Sequence, residues 1–89
     1  MIEKEVTVTN PKGLHARPSA LLVKTAQSFE SEIMLYNGDA SADAKSVLSI
    51  MTLCADYNTT LKLTVSGSDE VTAAEKIVEV FSIRFPYDE

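Results

Sequence analysis

Residues 13–18 form the part of this chain whose residue types could do chemistry. They include the only histidine, His15, which is followed two positions later by Arg17. A neutral imidazole is nucleophilic near pH 7, and a guanidinium group can hold phosphoryl oxygens in two parallel hydrogen bonds. This pair at this spacing is therefore suited to receive a phosphoryl group on the histidine.

The same stretch predicts the start of a helix. Proline is tolerated in the first helical turn, so Pro18 places that turn close to His15, and Gly13 permits a sharp turn before it. The backbone N–H groups of the first turn, including those of Ala16 and Arg17, then point toward any group that His15 carries. The helix dipole favours negative charge there by about 0.3–1 kcal/mol, which predicts an anion site.

The anion could be only bound at this site or become covalently attached. The chain has no glycine-rich phosphate loop and no acidic cluster typical of a Mg²⁺ site, whereas His15 supplies a nucleophile. A carrier needs a nucleophile, a charge clamp and an exposed position, because its partners can bring other catalytic groups. We therefore expect covalent attachment without a metal or a cofactor. The alternative for a lone histidine is a surface residue without function, which Gly13, Arg17 and Pro18 disfavour.

Four strands are predicted around this stretch. Apolar and polar residues alternate over residues 2–9 and, more regularly, over residues 60–66. Asn37 and Gly38 form the dipeptide that tolerates the positive φ angles of a tight hairpin turn. Strands near 32–37 and 39–43 are therefore expected to be antiparallel neighbours.

Two long amphipathic segments predict helices. The first covers residues 16 to about 29, and the second lies near the C-terminus and ends before Pro86. Each has one apolar stripe to bury, namely Pro18, Leu22, Ala26 and Phe29 in the first, and Val71, Ala74, Val78, Phe81 and Phe85 in the second. With a shorter helix at 46–53, the order βαββαβα predicts an α+β fold, an open-faced two-layer sandwich with three helices on one face of a four-stranded antiparallel sheet.

The short helix carries more apolar residues than one stripe can bury. If Ile50 and Leu53 face inward, then Val47, Leu48 and Met51 lie together on the outside. We call these three residues the docking face, because an exposed apolar patch with a polar rim is typical of a transient interface. The alternative is that they are ordinary core residues.

Length and charge exclude several classes of protein. With 89 residues and 45% hydrophobic content, the chain is expected to form one domain over residues 1–89. No stretch could span a bilayer, so no membrane insertion is expected. The net charge of −5 argues against nucleic-acid partners, as does the lack of paired aromatic residues on a strand of the kind found in small RNA binders. The single cysteine and an N-terminus unlike a signal peptide predict a cytoplasmic protein.

Residues 13–18, GLHARP, resemble the active-site motif of the HPr family, the histidine-containing phosphocarriers of the bacterial phosphoenolpyruvate:sugar phosphotransferase system. The resemblance extends without gaps from residue 6 to about residue 81 and includes residues 44–46 and 66–70. It implies that His15 is phosphorylated on a ring nitrogen, Nδ1 in the family, by enzyme I, and that Arg17 stabilises the phosphoryl group. It also implies IIA-type acceptors, a sheet order of 1-4-2-3, and a protein that we expect to be monomeric.

The resemblance also concerns the short helix. Ser46 precedes the apolar run and is predicted to be its N-cap, and many members of the family are phosphorylated by a dedicated kinase at the matching serine. In the family the docking face contacts enzyme I and the IIA proteins, and we expect Lys24 and Lys45 to form its rim. The alternative function is a regulatory binding module of the same fold, in which phosphorylated Ser46 controls a transcriptional regulator or an enzyme without sugar transport.

Several residues depart from what is common in the family, among them residues 56–58, which replace a turn that often contains glycine. Lys12 stands where a small polar residue is common, Ser49 where glycine or lysine is frequent, and Cys54 where glycine is frequent. These differences concern the choice of partners more than the chemistry. Cys54 is predicted to be a small buried residue or the end of a helix, since nothing beside it suggests an activated thiolate.

Overall fold

Residues 1–9, 13–14 and 16–82, which a computed structural model describes, form four strands and three helices in the order βαββαβα. The α+β fold predicted from the sequence is confirmed. The elements are β1 (Ile2–Thr7), α1 (Ala16–Gln27), β2 (Glu32–Asn37), β3 (Ala40–Asp43), α2 (Val47–Met51), β4 (Thr60–Ser66) and α3 (Glu70–Ser82).

The strands form one antiparallel sheet in the order β1-β4-β2-β3, which is the order that the resemblance implies. Strand β4 is central and shows the clearest alternation, with Leu61, Leu63 and Val65 fully buried. Its intervening side chains lie on the open face of the sheet, where Lys62 forms an ion pair of 3.5 Å with Glu3. The predicted hairpin is present between β2 and β3. Strand β1 ends at Thr7, two residues earlier than the sequence predicts.

Helix α1 buries the stripe that the sequence predicts, and its residues Pro18, Leu22 and Ala26 are all buried. The helix ends at Gln27, so Phe29 lies beyond it and is half-buried against the core. Fully buried aliphatic side chains from both layers, such as Leu22 of α1, Ile33 of β2 and Ile77 of α3, contribute about 1.5–3 kcal/mol each to stability.

The stripe predicted for the C-terminal helix is partly wrong. Val71 is 59% exposed, whereas the buried residues of α3 are Ala73, Ala74, Ile77, Val80 and Phe81. At 3.6 residues per turn, Val71 lies about 120° around the helix from Ile77, outside a stripe roughly 100° wide. Phe85 lies outside the described residues. Among the described helices, none has both the length and the apolar character needed to cross a membrane.

Candidate functional site

Helix α1 begins at Ala16, the residue directly after the only histidine, as Pro18 in the first turn predicts. His15 and Lys12 themselves lie outside the described residues. Ala16 and Arg17 occupy the first two helical positions and are exposed, and the first turn contains no acidic residue that would neutralise the positive end of the dipole. The first-turn N–H groups of a helix have no acceptor within the helix, so this end of α1 is suited to an anion.

The backbone just before the histidine is fixed by contacts with two other parts of the fold. The N–H of Leu14 donates to the carbonyl oxygen of Ala55 at 2.9 Å, and the carbonyl of Leu14 accepts from Ser19 Oγ at 3.3 Å. Ser19 Oγ also lies 3.8 Å from Met51 Sδ. The start of α1 and the end of α2 are therefore neighbours.

Ser46 is the N-cap of α2, as predicted. Its backbone is extended, with φ −130° and ψ 118°, and its Oγ accepts a hydrogen bond from the N–H of Ser49 at 3.3 Å. The side chain of Ser49 in turn accepts from the N–H of Asp43 at 2.9 Å. Ser46 remains half-exposed, so the cap and a modification of the hydroxyl are both compatible with its position.

Helix α2 places its apolar residues on two sides. Ile50 and Leu53 are buried, as expected, whereas Leu48 is 81% and Met51 41% exposed. Val47 is half-buried and packs against the core, so it belongs only partly to the outer surface. Leu48 and Met51 therefore form the accessible part of the docking face.

A further exposed apolar residue lies on α1, and sequence reasoning missed it. Leu21 is 38% exposed and lies four residues after Arg17 and three before Lys24, so the three side chains share one face of the helix. The sequence contained a signal of this exposure, because Leu21 is apolar but falls outside the buried stripe that contains Leu22.

The two lysines predicted for the rim have different environments. Lys24 is exposed in the last turn of α1. Lys45 is half-buried, and its Nζ donates to the carbonyl oxygen of Phe29 at 2.8 Å, while its own carbonyl accepts from Gln27 Nε2 at 3.0 Å. Lys24 thus projects into solvent, whereas the ammonium group of Lys45 is held at the end of α1.

Cys54 is exposed, so the prediction of a small buried residue is wrong. It lies two residues beyond Thr52, the C-cap of α2, so it follows the helix end rather than forming it. Its N–H donates to the carbonyl oxygen of Met51 at 3.4 Å, and its φ of 51° turns the chain away from the helix axis. The side chain faces outward because the neighbouring Leu53 and Ala55 occupy the inward positions.

Titratable groups with displaced pKa values lie elsewhere in the described part of the chain. The Ser31 hydroxyl and the N–H of Glu30 donate to the carboxylate of Asp69 and lower its pKa. The N–H of Gly67 and the N-terminal amine lower the pKa of Glu70. These contacts tie the start of α3 to its neighbours. The described residues contain no group of three His, Cys, Asp or Glu side chains that could hold a metal ion.

Comparison with known proteins gives a consistent result. The family model described as "PTS HPr component phosphorylation site" matches residues 2–82. The phosphocarrier protein HPr of Xylella fastidiosa is 41% identical over 88 residues, which cover 99% of each chain. The crystal structure of HPr-C-His from Thermoanaerobacter tengcongensis superimposes with a TM-score of 0.87 at 37% identity and 91% coverage of both chains. The HPr-like protein Crh of Halalkalibacterium halodurans is 38% identical over 78 residues, 88% of this chain and 93% of that protein.

Proposed function

This chain belongs to the HPr family of phosphocarrier proteins, and we propose that it accepts a phosphoryl group from enzyme I on His15 and passes it to IIA-type acceptors. The observation that carries the proposal is the start of α1 directly after the histidine, with exposed Ala16 and Arg17 as its first two residues. We further propose that the protein acts in the cytoplasm as a monomer of one domain, residues 1–89.

In this mechanism the neutral imidazole of His15 attacks the phosphorus atom held by the donor protein. The new N–P bond forms as the bond to the donor breaks, and the same exchange in the opposite direction loads the acceptor. The N–H groups of the first turn of α1 and the guanidinium of Arg17 hold the phosphoryl oxygens, whose charge is favoured at this end of the helix. Catalytic groups beyond these come from the partner proteins, and this chain needs no cofactor for its own part.

Docking onto enzyme I and the acceptors is assigned to the surface formed by α1 and α2. Exposed Leu48 and Met51 provide apolar area on α2, and Met51 lies beside the start of α1. Leu21 and Lys24 add an exposed apolar and a charged side chain on α1. A surface with an apolar centre and a charged rim suits a partner that must bind, exchange a phosphoryl group and leave.

The proposal is tested by reconstituting both transfers. The purified protein is incubated with phosphoenolpyruvate and enzyme I, and its intact mass is measured before and after addition of a IIA-type acceptor. We expect the mass of one phosphate to be gained and then lost again. A protein that gains no phosphate is not a carrier in this system, and one that gains phosphate but loses none to any acceptor tested is not a link to sugar transport.

The second candidate is a regulatory module, and the half-exposed hydroxyl of Ser46 at the N-terminus of α2 favours it. A dedicated kinase would add a phosphate there, and the doubly charged group would be electrostatically compatible with the helix end but would alter the docking face beside it. The similarity to Crh of Bacillus subtilis, which is described as the catabolite repression HPr, at 34% identity and a TM-score of 0.66 supports this alternative. Transfer from phosphorylated protein to IIA-type acceptors separates the two candidates, because a purely regulatory module would bind a transcriptional regulator and load no acceptor.

A further inference from the structure

The residue directly before the histidine is held from three directions. Its N–H is bound by the carbonyl of Ala55, its carbonyl is bound by the hydroxyl of Ser19 in α1, and the Leu14 side chain is only 8% exposed. The residue directly after the histidine is the first of α1. The backbone on both sides of residue 15 is therefore constrained, on one side by the helix and on the other by the segment that contains Ala55.

That segment also fits closely against Gly13. The φ of Gly13 is +75°, and a Cβ atom added there would lie 2.6 Å from the carbonyl oxygen of Ala55 and 3.1 Å from Cα of Asp56. Both are backbone atoms and cannot rotate away. A side chain at position 13 would thus have to displace residues 55–56 or the stretch that leads to the histidine.

Residues 53–58, which we call the 53–58 loop, are anchored at both ends by hydrogen bonds. The carbonyl of Leu53 accepts from Asn37 Nδ2 at 2.9 Å, and the N–H of Asn58 donates to the carbonyl of Val8 at 2.8 Å. Between these anchors, Cys54 has a φ of 51° in the left-handed region, as does Asn58 at 70°. Asparagine adopts this region several-fold more readily than most residues, so Cys54 is the less suited of the two residue types to its conformation in the loop.

From these contacts we propose that the 53–58 loop is a positioning element for His15, with the carbonyl oxygen of Ala55 as its contact atom and Cys54 as the residue that sets its path. The inference rests on the proposed function, since it concerns the geometry of phosphoryl transfer at that histidine. Transfer requires the attacking nitrogen to be aligned with the donor, and a displacement of about 1 Å can cost roughly 100-fold in rate. The loop also follows α2 closely in the chain, so it connects the docking face with the residue that precedes the histidine.

Two glycine substitutions provide a matched test. Gly13→Ala places a methyl group against the 53–58 loop, whereas Gly67→Ala places one 2.6 Å from Cα of Ser31 at the other end of β4. Both clash with backbone at a positive φ, so both are expected to lower the melting temperature. Only Gly13→Ala is expected to lower the kcat of phosphorylation by enzyme I, by about 10- to 100-fold with KM changed less. If both folded variants lose kcat equally, or neither does, the positioning role is overturned.

A second pair decides the matter if Gly13→Ala fails to fold. Cys54→Gly is compatible with the left-handed conformation, whereas the β-branched side chain in Cys54→Val opposes it. We expect Cys54→Gly to transfer at least about 10-fold faster than Cys54→Val at saturating enzyme I. Equal values of kcat in these two variants would overturn the proposal.

The NMR signals and pKa of the histidine ring provide a readout independent of enzyme I. Gly13→Ala and Cys54→Val are expected to move them, and Gly67→Ala is expected to leave them in place. Unmoved ring signals in the first two variants would overturn the positioning role. Failure of the wild-type protein to accept phosphate would instead contradict the proposed function. The NMR signals of the histidine ring would still test the positioning role of the 53–58 loop.

Discussion

Truncation of Leu48 separates docking from folding, because this side chain is 81% exposed on α2. Full burial of a leucine side chain is worth about 1.5–3 kcal/mol, so covering the part of Leu48 that is now exposed would contribute about 1–2 kcal/mol to binding. Leu48→Ala is therefore expected to weaken association with enzyme I by about 5- to 30-fold. The free energy of unfolding should change by less than about 0.5 kcal/mol, since little of the side chain is buried in the free protein.

The assay measures the KM for this protein in phosphorylation by enzyme I, together with thermal unfolding of the same preparation. Val71→Ala is the matched control, because Val71 is a 59% exposed apolar residue on α3 that lines a groove with Ile2 of β1. We expect KM to rise in Leu48→Ala alone, while kcat stays close to the wild-type value. Equal KM values for the two variants would refute the docking role of Leu48, and a large loss of stability in Leu48→Ala would refute the reasoning from exposure.

The remaining predictions concern three polar residues. Arg17→Ala is expected to slow phosphorylation without abolishing it, because the helix dipole remains when the guanidinium is lost. Unchanged rates of loading and onward transfer in a rapid-quench assay would contradict the clamp role. Ser46→Asp should keep or raise the melting temperature, since aspartate caps helices, but it should slow transfer from enzyme I. Ser46→Ala should lower the free energy of unfolding, measured with denaturant, by about 0.5–2 kcal/mol. A large loss of stability in Ser46→Asp, or an unchanged transfer rate, would contradict this. Asp69→Asn should lower the melting temperature at neutral pH, because hydrogen bonds from Ser31 and Glu30 hold the pKa of this carboxyl below its ordinary value of 3.8. That stabilisation is present above 3.8 and is lost as pH falls through the lower pKa of the folded state, so the difference from wild type should shrink in acid, and a difference independent of pH would contradict it.

The strands could be predicted from the sequence because their pattern depends on local alternation. Leu61, Leu63 and Val65 alternate with polar residues, and all three are buried. Gly38 has the φ of +61° that the hairpin turn requires. The order of the strands did not follow from periodicity and came from the resemblance, since alternation shows which side of a strand is buried but not which strand lies beside it.

The helices show where sequence patterns are less informative. In the sequence, Val71, Ala74 and Val78 form as good an apolar stripe as Ile77 does with its neighbours. Packing against the sheet determines which of the two stripes is buried. Cys54 was predicted to be a small buried residue or a helix end, yet it lies in a turn beyond α2 with its side chain exposed. In both cases tertiary contacts determine what residue type alone leaves open.

The local structure around the candidate site was predictable where residue type determines it. Arg17 and Pro18 mark the start of α1, and Ser46 caps α2 as its type predicts. The contact of Leu14 with the carbonyl of Ala55 could not be predicted, because a backbone carbonyl leaves no mark in the sequence. It joins residues 41 positions apart and becomes visible only in the folded chain.

Phosphorylation by enzyme I, followed by acid and base treatment, tests the central claim most directly. Wild-type protein and the variants His15→Ala and Ser46→Ala are loaded with phosphoenolpyruvate and enzyme I, and their intact masses are compared. The account predicts one phosphate on wild type and on Ser46→Ala, lost in acid and stable in base as expected for phosphohistidine, and none on a folded His15→Ala. A phosphate that persists in acid, or undiminished phosphorylation of His15→Ala, would contradict the assignment of His15 as the phosphoryl acceptor.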